Sequence, residues 1–433
     1  MALVLTTHTL VIHILGKLHS RFDLNREMIR KLLHLIMGSV TLTFPWLFNE
    51  AWPVVTLSIV ASVFIAIIKT SSLREWKPVV CASGRISIGE LCFPIAVGIL
   101  FLLTDGNKFL YIAPLAILTF ADSASALVGM RFGKRKYHTV DGKKSTEGSL
   151  TFLMVAFLCT FVCTQFFTGL ETSAAIVLSI AVGIIAMLFE AVAWKGLDNM
   201  SIPLGSYLAI NTHFHLSGES LLGRVVILTL MALAFIYLKK KSTLNGSAVL
   251  GVVLFCYFAL ILGGPMWLLS PVALFLSYKY LLPRRFRSLK SFHTIYGVIA
   301  VAAAGIVCLL IASDHADPRY LFPYTLAFGA HASIISIAHM RFNHFDKVRT
   351  RALIRAVLKA WCLMCVPLFV FDPTAHTLSL ILFLAPICIG LPPFMFYLAN
   401  SGEPASFTQP ARWFKQASLA SFSAALGFLP LLI

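Results

Sequence analysis

The chain has 433 residues, of which 58% are hydrophobic and only 12% are charged, and its mean hydropathy is +0.86. A soluble protein does not need so much apolar surface, and apolar segments near membrane-spanning length recur from one end of the chain to the other. The composition therefore excludes a soluble protein. It predicts an all-α, polytopic integral membrane protein that has the lipid bilayer as its surroundings.

About 14 to 16 transmembrane helices are expected from the apolar segments. The segments lie near residues 3–18, 32–48, 51–68, 88–103, 109–129, 149–168, 174–194, 202–212, 222–238, 246–262, 265–281, 293–312, 319–339, 356–371, 376–398 and 416–433. The first segment lacks the basic region and the cleavage site of a signal peptide, so we expect it to be retained. The short 202–212 segment is also compatible with a re-entrant segment. Three prolines, at 386, 392 and 393, predict a kink or a split in the 376–398 segment.

The net charge of +17 is better explained by membrane topology than by binding to nucleic acid. If the N-terminus lies outside, nearly every basic cluster falls in loops on one side. The basic residues expected on the other side are Lys108, Arg224 and Arg319. This is the positive-inside pattern. The clustered basic residues are also expected to attract anionic lipid headgroups to some extent. It predicts a basic cytoplasmic face, in the cell or inner membrane of a bacterium or an ER-type membrane of a eukaryote, and no nucleic-acid partner.

A polar stripe enters the second apolar segment. It consists of Glu27, Arg30, Lys31 and His34. Their i, i+3, i+4, i+7 spacing places all four on one face of a helix. One explanation is a juxtamembrane anchor of snorkelling basic residues, which accounts for Arg30 and Lys31 but less well for His34, because His34 lies a turn deeper. The alternative is a part of a binding site at the predicted cytoplasmic face.

Asp122 lies near the predicted cytoplasmic end of an apolar helix, where a carboxylate is costly unless something compensates its charge. A divalent cation is one such compensation, and a structural hydrogen bond is the alternative. Ala121, Ser125 and Gly129 are spaced four residues apart. Small residues at this spacing allow another helix to approach closely. That packing would bring distant carboxylates within reach of Asp122.

The loop that follows this helix carries the groups that hold phosphate, namely glycines, lysines and hydroxyls. They are Gly133, Lys143, Lys144, Ser145, Thr146 and Gly148, with Glu147 among them. Ordinary positive-inside charge is the alternative explanation for Lys143 and Lys144. Because an acid, glycines, paired lysines and hydroxyls coincide, the whole stretch favours a metal–nucleotide site at a membrane face.

A third group of polar residues begins with Glu190, inside the seventh segment. Asp198 and Asn199 follow where that segment ends and another begins. Carboxylate and amide oxygens are hard ligands suited to Mg²⁺, although an Asp-Asn pair alone is also typical of a turn. Glu90 with Arg85, where the fourth segment begins, is a weaker candidate.

Four separated motifs between residues 20 and 240 occur in an order that resembles a known family. They are Glu27-x-x-Arg30-Lys31-x-x-His34-x-x-x-Gly38, Asp122-Ser-Ala-Ser-Ala with Gly129 and Gly133, Lys144-Ser-Thr-Glu-Gly148, and Glu190 with Asp198-Asn199 and Pro203. The pattern is similar to that of the membrane lipid kinases that include dolichol kinase, phytol kinase and the CTP-dependent diacylglycerol kinase. These kinases are distantly similar to phosphatidate cytidylyltransferases.

The resemblance implies a bundle of membrane helices that transfers the γ-phosphoryl group of CTP, or of another nucleoside triphosphate, to a lipid hydroxyl. The implied acceptor is a polyprenol or another isoprenoid alcohol such as phytol or dolichol. Some members of the family carry two acids before the asparagine, whereas Leu197 precedes Asp198 here. This departure leaves the number of metal-binding carboxylates open.

Phosphoryl transfer depends on positioning and on neutralising charge, and the candidate residues suit these tasks. The expected ligands of Mg²⁺ are Asp122, Asp198 and Asn199. The expected phosphate-binding residues are Arg30, Lys31, Gly133, Lys143, Lys144, Ser145, Thr146 and Gly148. Lys144 is also expected to stabilise the charge of the transferred group. The residue that orients or deprotonates the acceptor hydroxyl is His34, Glu147 or Glu190, and the sequence leaves the choice open.

Two other functions fit part of the sequence. A cytidylyltransferase that makes a CDP-lipid would release pyrophosphate where the kinase releases CDP. A transporter would use Asp122 and Glu190 to bind a coupling ion, but transporters often have internal repeats and helices broken at the midplane. Here the acids cluster toward one face beside a phosphate-type loop, which favours an enzyme.

The chain is expected to contain two domains. Residues 1–241 form the lipid-kinase-like domain, and residues 246–433 form an additional multi-span membrane domain of unknown role. His331 and His339 lie eight residues apart in the second domain, which is more typical of satisfied core histidines than of a second active site. Neither the lipid acceptor nor the oligomeric state follows from the sequence.

Overall fold

The protein is built almost entirely from helices. The computed structural model describes residues 1–22, 26–70, 88–139, 142–239, 242, 244–281, 293–315, 317–342, 350–399 and 410–431. The strands in these ranges form one two-stranded hairpin. Two compact units are present, Met1–Leu230 and Met231–Ile433. The prediction of an all-α protein is confirmed.

Within its described residues, the first unit contains ten complete helices and the greater part of an eleventh, within which the unit ends. The helices are α1 (Ala2–Phe22), α2 (Arg26–Leu42), α3 (Phe44–Leu47), α4 (Ala51–Thr70), α5 (Gly89–Thr104), α6 (Lys108–Ala116), α7 (Asp122–Phe132), α8 (Thr146–Phe167), α9 (Thr172–Val192), α10 (Asp198–His213) and α11 (Gly218–Leu238). A π-helical turn, Ile117–Ala121, joins α6 to α7. The antiparallel hairpin of β1 (Lys136–Thr139) and β2 (Gly142–Ser145) lies between α7 and α8.

The second unit is a further set of mostly long helices. They are α12 (Gly246–Phe258), α13 (Leu269–Leu281), α14 (Ile295–His315), α15 (Leu321–Phe342), α16 (Thr350–Phe371), α17 (Ala375–Ser379), α18 (Ala385–Ala399) and α19 (Pro410–Phe428). Short π-helical and 3₁₀ turns connect some of them, at Ala259–Gly263, Pro265–Leu268, Pro318–Tyr320, Leu380–Leu384 and Leu429–Leu431.

Ten helical segments in the described part of the chain are long and apolar enough to cross a membrane. They are Ala51–Thr70, Lys108–Phe132, Thr146–Phe167, Thr172–Val192, Gly218–Leu238, Gly246–Gly263, Ile295–His315, Pro318–Ala338, Thr350–Phe371 and Ala375–Ala399. Two shorter apolar helices are Gly89–Thr104 and Pro265–Tyr278. Helices α1, α2, α10 and α19 occupy the other predicted segments. The protein is therefore a polytopic integral membrane protein, and large apolar side chains such as Phe166, which is 82% exposed, suit a surface in contact with lipid.

The structure adds two details to the sequence-based expectations for the helices. The short 202–212 segment belongs to a continuous helix, α10, which begins earlier, at Asp198. The 376–398 segment is not split at its prolines, because Pro392 and Pro393 lie inside α18. Its irregularity is a π-helical turn just before Pro386, and a π turn is one way for a helix to absorb the missing N–H and the bulk of a proline ring.

Helices α7 and α8 approach each other through small residues. A Cβ atom added to Gly148 of α8 would lie 3.0 Å from the backbone oxygen of Ser125 and 3.4 Å from the Cα atom of Gly129, both in α7. These distances leave little room for a side chain. The close approach predicted from the four-residue spacing of small residues is therefore confirmed for Ser125 and Gly129.

Replacing Gly148 with alanine is expected to destabilise this crossing. The added methyl group would press on a backbone oxygen of α7 that cannot move without the helix, and overpacking of this kind costs about 1–3 kcal/mol. A lower melting temperature of the detergent-solubilised protein would verify this. Gly169→Ala is the matched control, because nothing lies within 4 Å of a Cβ atom there; equal melting temperatures for the two variants would contradict the role of the crossing.

Candidate active site

Helix α2 joins the site through a buried ion pair. The Nζ atom of Lys31 lies 2.5 Å from the Oδ2 atom of Asp122, and the two side chains are only 7% and 8% exposed. Lys31 therefore does not snorkel toward water, and the anchor interpretation is wrong for this residue. A buried pair of charges is costly to assemble unless the geometry compensates its loss of hydration, so such a pair in a membrane helix is a candidate for function.

His34 lies one turn further along the same face of α2. Its Nε2 atom is 3.9 Å from the Oδ2 atom of Asp122 and 3.3 Å from the carbonyl oxygen of Leu118. A carbonyl oxygen only accepts, so a hydrogen bond here puts the imidazole proton on Nε2. The ring also meets Phe93 edge to face, with 5.2 Å between centroids. The structure thus places Lys31 and His34 on one face of α2, as their spacing predicted, and brings that face to Asp122.

A π-helical turn precedes Asp122. It begins just after Pro114, and the N–H group of Ile117 is shared between the carbonyl groups of Ala113 and Pro114. A single π turn inserts one residue into the helical ladder and rotates the side chains that follow, and such turns are frequent at functional sites. The turn therefore helps to set the direction in which Asp122 points.

Lys144 of the hairpin reaches Glu190 of α9. Its Nζ atom lies 2.7 Å from the Oε1 atom of Glu190 and also donates to the backbone carbonyl of Glu190. Lys143, the neighbouring residue on β2, is exposed, because successive side chains of a strand point to opposite faces. Burial disfavours the charged form of Lys144, but the carboxylates of Glu190 and Asp198 outweigh this effect, so the pKa of Lys144 is raised above its usual value.

Glu190 is buried, and the carboxylates of Asp122 and Asp198 both lie within electrostatic range of it. Its second oxygen, Oε2, has no hydrogen-bond partner among the described residues. Buried polar atoms are normally paired, so an orphaned carboxylate oxygen beside a lysine is a natural contact for a ligand. The three acids form a negative cluster that two lysines, Lys31 and Lys144, partly neutralise.

The junction between α9 and α10 holds Asp198 and Asn199. The Asn199 side-chain amide donates to the carbonyl oxygen of Gly89 at 2.8 Å, and the backbone N–H of Ile88 donates to the carbonyl of Lys195 at 2.9 Å. Asn199 therefore ties the start of α5 to this turn through its nitrogen. Its side-chain oxygen makes no hydrogen bond within the described residues, and Asp198 is half-buried.

The remaining predicted phosphate-loop residues build the start of α8. The Ser145 hydroxyl accepts the N–H of Gly148 at 3.1 Å, which is an N-cap. The Glu147 carboxylate accepts the backbone N–H of Arg135 at 3.2 Å, and the Thr146 hydroxyl donates to the Arg135 carbonyl at 3.4 Å. A Cβ atom on Gly133 would overlap Ser145. These contacts stabilise the hairpin from which Lys144 extends.

An apolar cavity of about 350 Å³ lies beside the charged cluster. Arg30, His34, Glu90 and Asn199 line one end of it. Its other lining residues are mostly apolar and include Val4, Ile12, Leu57, Phe64, Phe93 and Val97, with His8, Thr9, Thr41 and Ser58 as further polar residues. The walls come from α1, α4 and α5, of which the sequence connected only α5 with the site, through Glu90. Glu90 pairs with Lys69 at 2.8 Å. Arg85, the predicted partner of Glu90, and the side chain of Glu27 lie outside the described residues.

The predicted magnesium ligands do not form a preformed cage. No group of three His, Cys, Asp or Glu side chains in the described part of the chain is close enough to hold a metal ion. Magnesium that arrives with nucleotide phosphates needs only one or two carboxylates from the protein. Asp122 and Asp198, which both lie within electrostatic range of Glu190, fit this mode of binding.

The fold and the site define a polytopic membrane protein with a charged cluster at the end of a lipid-sized cavity. The chain is 31% identical over 185 residues to a phytol kinase of Synechocystis sp., which corresponds to 42% of this chain and 77% of that protein. The chain belongs to the membrane lipid kinase family that includes this phytol kinase. No model of a known protein family matches the chain, and no solved structure matches it.

Proposed function

We propose that the protein is a prenyl-alcohol kinase, which transfers the γ-phosphoryl group of CTP or another nucleoside triphosphate to a long-chain alcohol such as phytol. One observation carries the proposal: an apolar cavity ends at His34, and His34 lies 3.9 Å from Asp122, at the edge of the charged cluster. A lipid hydroxyl at this end would meet the groups that phosphoryl transfer requires. The relative is itself a phytol kinase, which supports the same class of acceptor.

The acceptor alcohol would lie with its chain between α1, α4 and α5 and its hydroxyl at His34. Of the three candidate bases, His34 is favoured by its position at the polar end of the cavity. Glu147 already accepts the N–H of Arg135, and Glu190 is paired with Lys144. His34 would orient the hydroxyl and take its proton as the oxygen attacks the γ-phosphorus atom.

The nucleotide would bind where the carboxylate cluster meets the hairpin. Its phosphate oxygens would compete with Glu190 for Lys144 and with Asp122 for Lys31, and Arg30 lies within electrostatic range of Asp122. In the reaction the alcohol oxygen forms a bond to the γ-phosphorus atom, and the bond to the β–γ bridging oxygen breaks. The nucleoside diphosphate then leaves. Magnesium, when bound at Asp122 and Asp198, would neutralise the terminal phosphate oxygens.

A product assay tests the proposal. Membranes that contain the protein are incubated with CTP labelled in the γ-phosphate, and with ATP labelled in the same way, in the presence of phytol, dolichol or diacylglycerol. We expect label in an organic-soluble prenyl monophosphate and release of the nucleoside diphosphate. Release of pyrophosphate with phosphatidate as substrate would establish the cytidylyltransferase instead, and an absence of both products would favour a transporter. The basic loops support a site on the cytoplasmic face, so activity with externally added nucleotide is expected only in inverted or opened vesicles.

Filling the cavity is expected to weaken binding of the alcohol but not of the nucleotide. Ala61 of α4 lines the cavity, and Ala61→Phe would occupy space that the apolar chain needs. We expect the KM for phytol to rise about tenfold, with an unchanged KM for the nucleotide. Val63→Phe is the control, because Val63 is on the same helix but is 54% exposed. An unchanged KM for phytol in Ala61→Phe would remove the cavity from the proposal.

A further inference from the structure

The second unit contains an apolar cavity of its own, with a volume of about 520 Å³. Ligand-binding cavities in proteins commonly have volumes of about 300–1,000 Å³. Its apolar walls include Val252, Phe255, Leu274, Phe275, Val298 and Phe328. These residues come from α12, α13, α14 and α15. Phe255 lies nine residues after the start of α12, about 13 Å along the helix axis, so the cavity has the depth to accept a chain.

Polar side chains gather at one part of this cavity. They are Ser242, Tyr278, His293, Arg412 and Gln416. Tyr278 lies in the last turn of α13, His293 precedes α14, and Arg412 lies in the first turn of α19. These helix ends adjoin, along the chain, the basic residues that the positive-inside pattern places on the cytoplasmic side. The cavity thus has the two ends that an amphiphile requires, one polar and one apolar.

The polar residues are held in defined positions. The Tyr278 hydroxyl and the Nε2 atom of His293 are hydrogen-bonded, and the His293 ring meets Trp413 edge to face with 5.8 Å between centroids. Gly297 makes room for the indole, since a Cβ atom there would lie 3.0 Å from Trp413. Arg412 lies against the same indole at 5.2 Å. This is a built site and not a gap left by poor packing.

The feature that points to a ligand is the side-chain amide of Gln416. Its side chain is completely buried, it borders the cavity, and neither its amide nitrogen nor its amide oxygen has a hydrogen-bond partner among the described residues. A buried amide without partners is costly. A ligand headgroup that accepts from the amide nitrogen would remove much of this cost.

The charge at the polar end indicates the kind of headgroup. Arg412 is only 5% exposed, and burial lowers its pKa to about 10, so its guanidinium is charged at neutral pH. Burial and the nearby charge of Arg412 lower the pKa of His293 to about 4, so its imidazole is neutral. A cation with neutral donors beside it complements an anionic group, and guanidinium groups bind phosphate oxygens with two hydrogen bonds.

We propose that the second unit binds a single-chain lipid monophosphate, with its phosphate at Arg412 and Gln416 and its chain in the apolar cavity. The site lies entirely within the second unit. It therefore does not depend on the chemistry proposed for the first unit, although a prenyl monophosphate would be the product of that chemistry.

Binding is tested on the purified full-length chain with phytyl monophosphate, phytol and inorganic phosphate as separate probes. The protein also carries Ala61→Phe and Lys144→Met, so that the alcohol site and the phosphate site proposed in the first unit are both weakened. We expect saturable binding of phytyl monophosphate, with at least about tenfold weaker binding of phytol and of inorganic phosphate. Equal binding of phytol would overturn the role of the phosphate. Equal binding of inorganic phosphate would overturn the role of the chain.

Two substitutions separate a ligand site from a structural cluster. Arg412→Gln is expected to weaken binding of phytyl monophosphate by about tenfold. Gln416→Leu is expected to weaken it as well and also to raise the melting temperature of the ligand-free protein, because it removes two unpartnered polar atoms. Gln165→Leu, at an exposed position of α8, is the matched control and should change neither property. Wild-type binding by both cavity variants would refute the proposal, as would a lower melting temperature in Gln416→Leu with unchanged binding.

Discussion

Replacing Lys144 with methionine is expected to reduce kinase activity by about a thousandfold, the usual effect of removing a group that stabilises developing charge. Lys144 extends from the hairpin into the acid cluster and lies 2.7 Å from Glu190, so it is the hairpin lysine that a bound phosphate would meet. Methionine keeps the length and the apolar stem of the side chain but removes its charge. Initial rates at saturating alcohol and nucleotide measure the effect on kcat.

Lys143→Met is the matched control for this prediction. Lys143 is the preceding residue on the same strand, carries the same charge and is exposed. If Lys144 acts because its side chain reaches the acid cluster, the Lys143→Met variant should keep most of the activity. If the two variants lose activity to the same extent, the hairpin acts only through its general positive charge, and the specific role of Lys144 is wrong. The pKa of Lys144 is raised, so its charge does not titrate near neutral pH, and the activity that depends on it should not fall between pH 7 and pH 9.

The sequence predicted which residues gather at the candidate site, but it did not predict which lysine contacts which acid. Asp122 and Glu190 stand out because acids are rare in apolar segments, and Lys31, Lys144 and Asp198 were predicted from local patterns. Lys31 and Asp122 are 91 residues apart in the chain, however, and no local pattern specifies which lysine meets which acid. The pairs follow from the packing of helices, which the sequence constrained only through small residues such as Gly129.

The walls of the two cavities were not predictable from local patterns. In a soluble helix, polar and apolar faces alternate and reveal which face is buried. In a membrane helix such as α4, the side chains toward the lipid and those toward a cavity are equally apolar, so Leu57 in the cavity wall and Ile59 facing outward cannot be told apart. Arg412 illustrates the same difficulty for charge: the positive-inside pattern places it with the other basic residues of the cytoplasmic face, whereas its side chain is buried beside a cavity.

The hairpin also shows where local interpretation was incomplete. Ser145, Thr146 and Gly148 fit a phosphate-binding loop by composition, but their contacts form an N-cap and a close helix crossing. The same residue types serve both purposes, because hydroxyls and glycines at a helix start satisfy its free N–H groups whether or not a ligand is present. Direct phosphate contacts from these residues remain a prediction.

Asp122→Asn is expected to remove kinase activity and to lower stability at the same time. The change is nearly isosteric, but it removes the charge that faces Lys31 at 2.5 Å in a buried environment. An unpaired buried ammonium is strongly unfavourable, and breaking such a pair costs about 3–5 kcal/mol. Loss of activity in this variant alone would therefore not distinguish a catalytic carboxylate from a purely structural one.

A second substitution separates the two roles of Asp122. In the double variant Lys31→Met with Asp122→Leu, both charges are gone and apolar side chains of similar length replace them, so we expect the melting temperature to recover toward that of the wild type. Because Lys31 is itself a proposed phosphate contact, the activity of this variant is expected to stay low in either case, and the deciding measurement is the magnesium requirement. If Asp122 binds the metal–nucleotide, the magnesium concentration needed for nucleotide binding should rise in this stable protein. If Asp122 only balances the charge of Lys31, stability should return and the magnesium requirement should be unchanged. That result would exclude Asp122 from the chemistry and leave Asp198 and Glu190 to hold the metal.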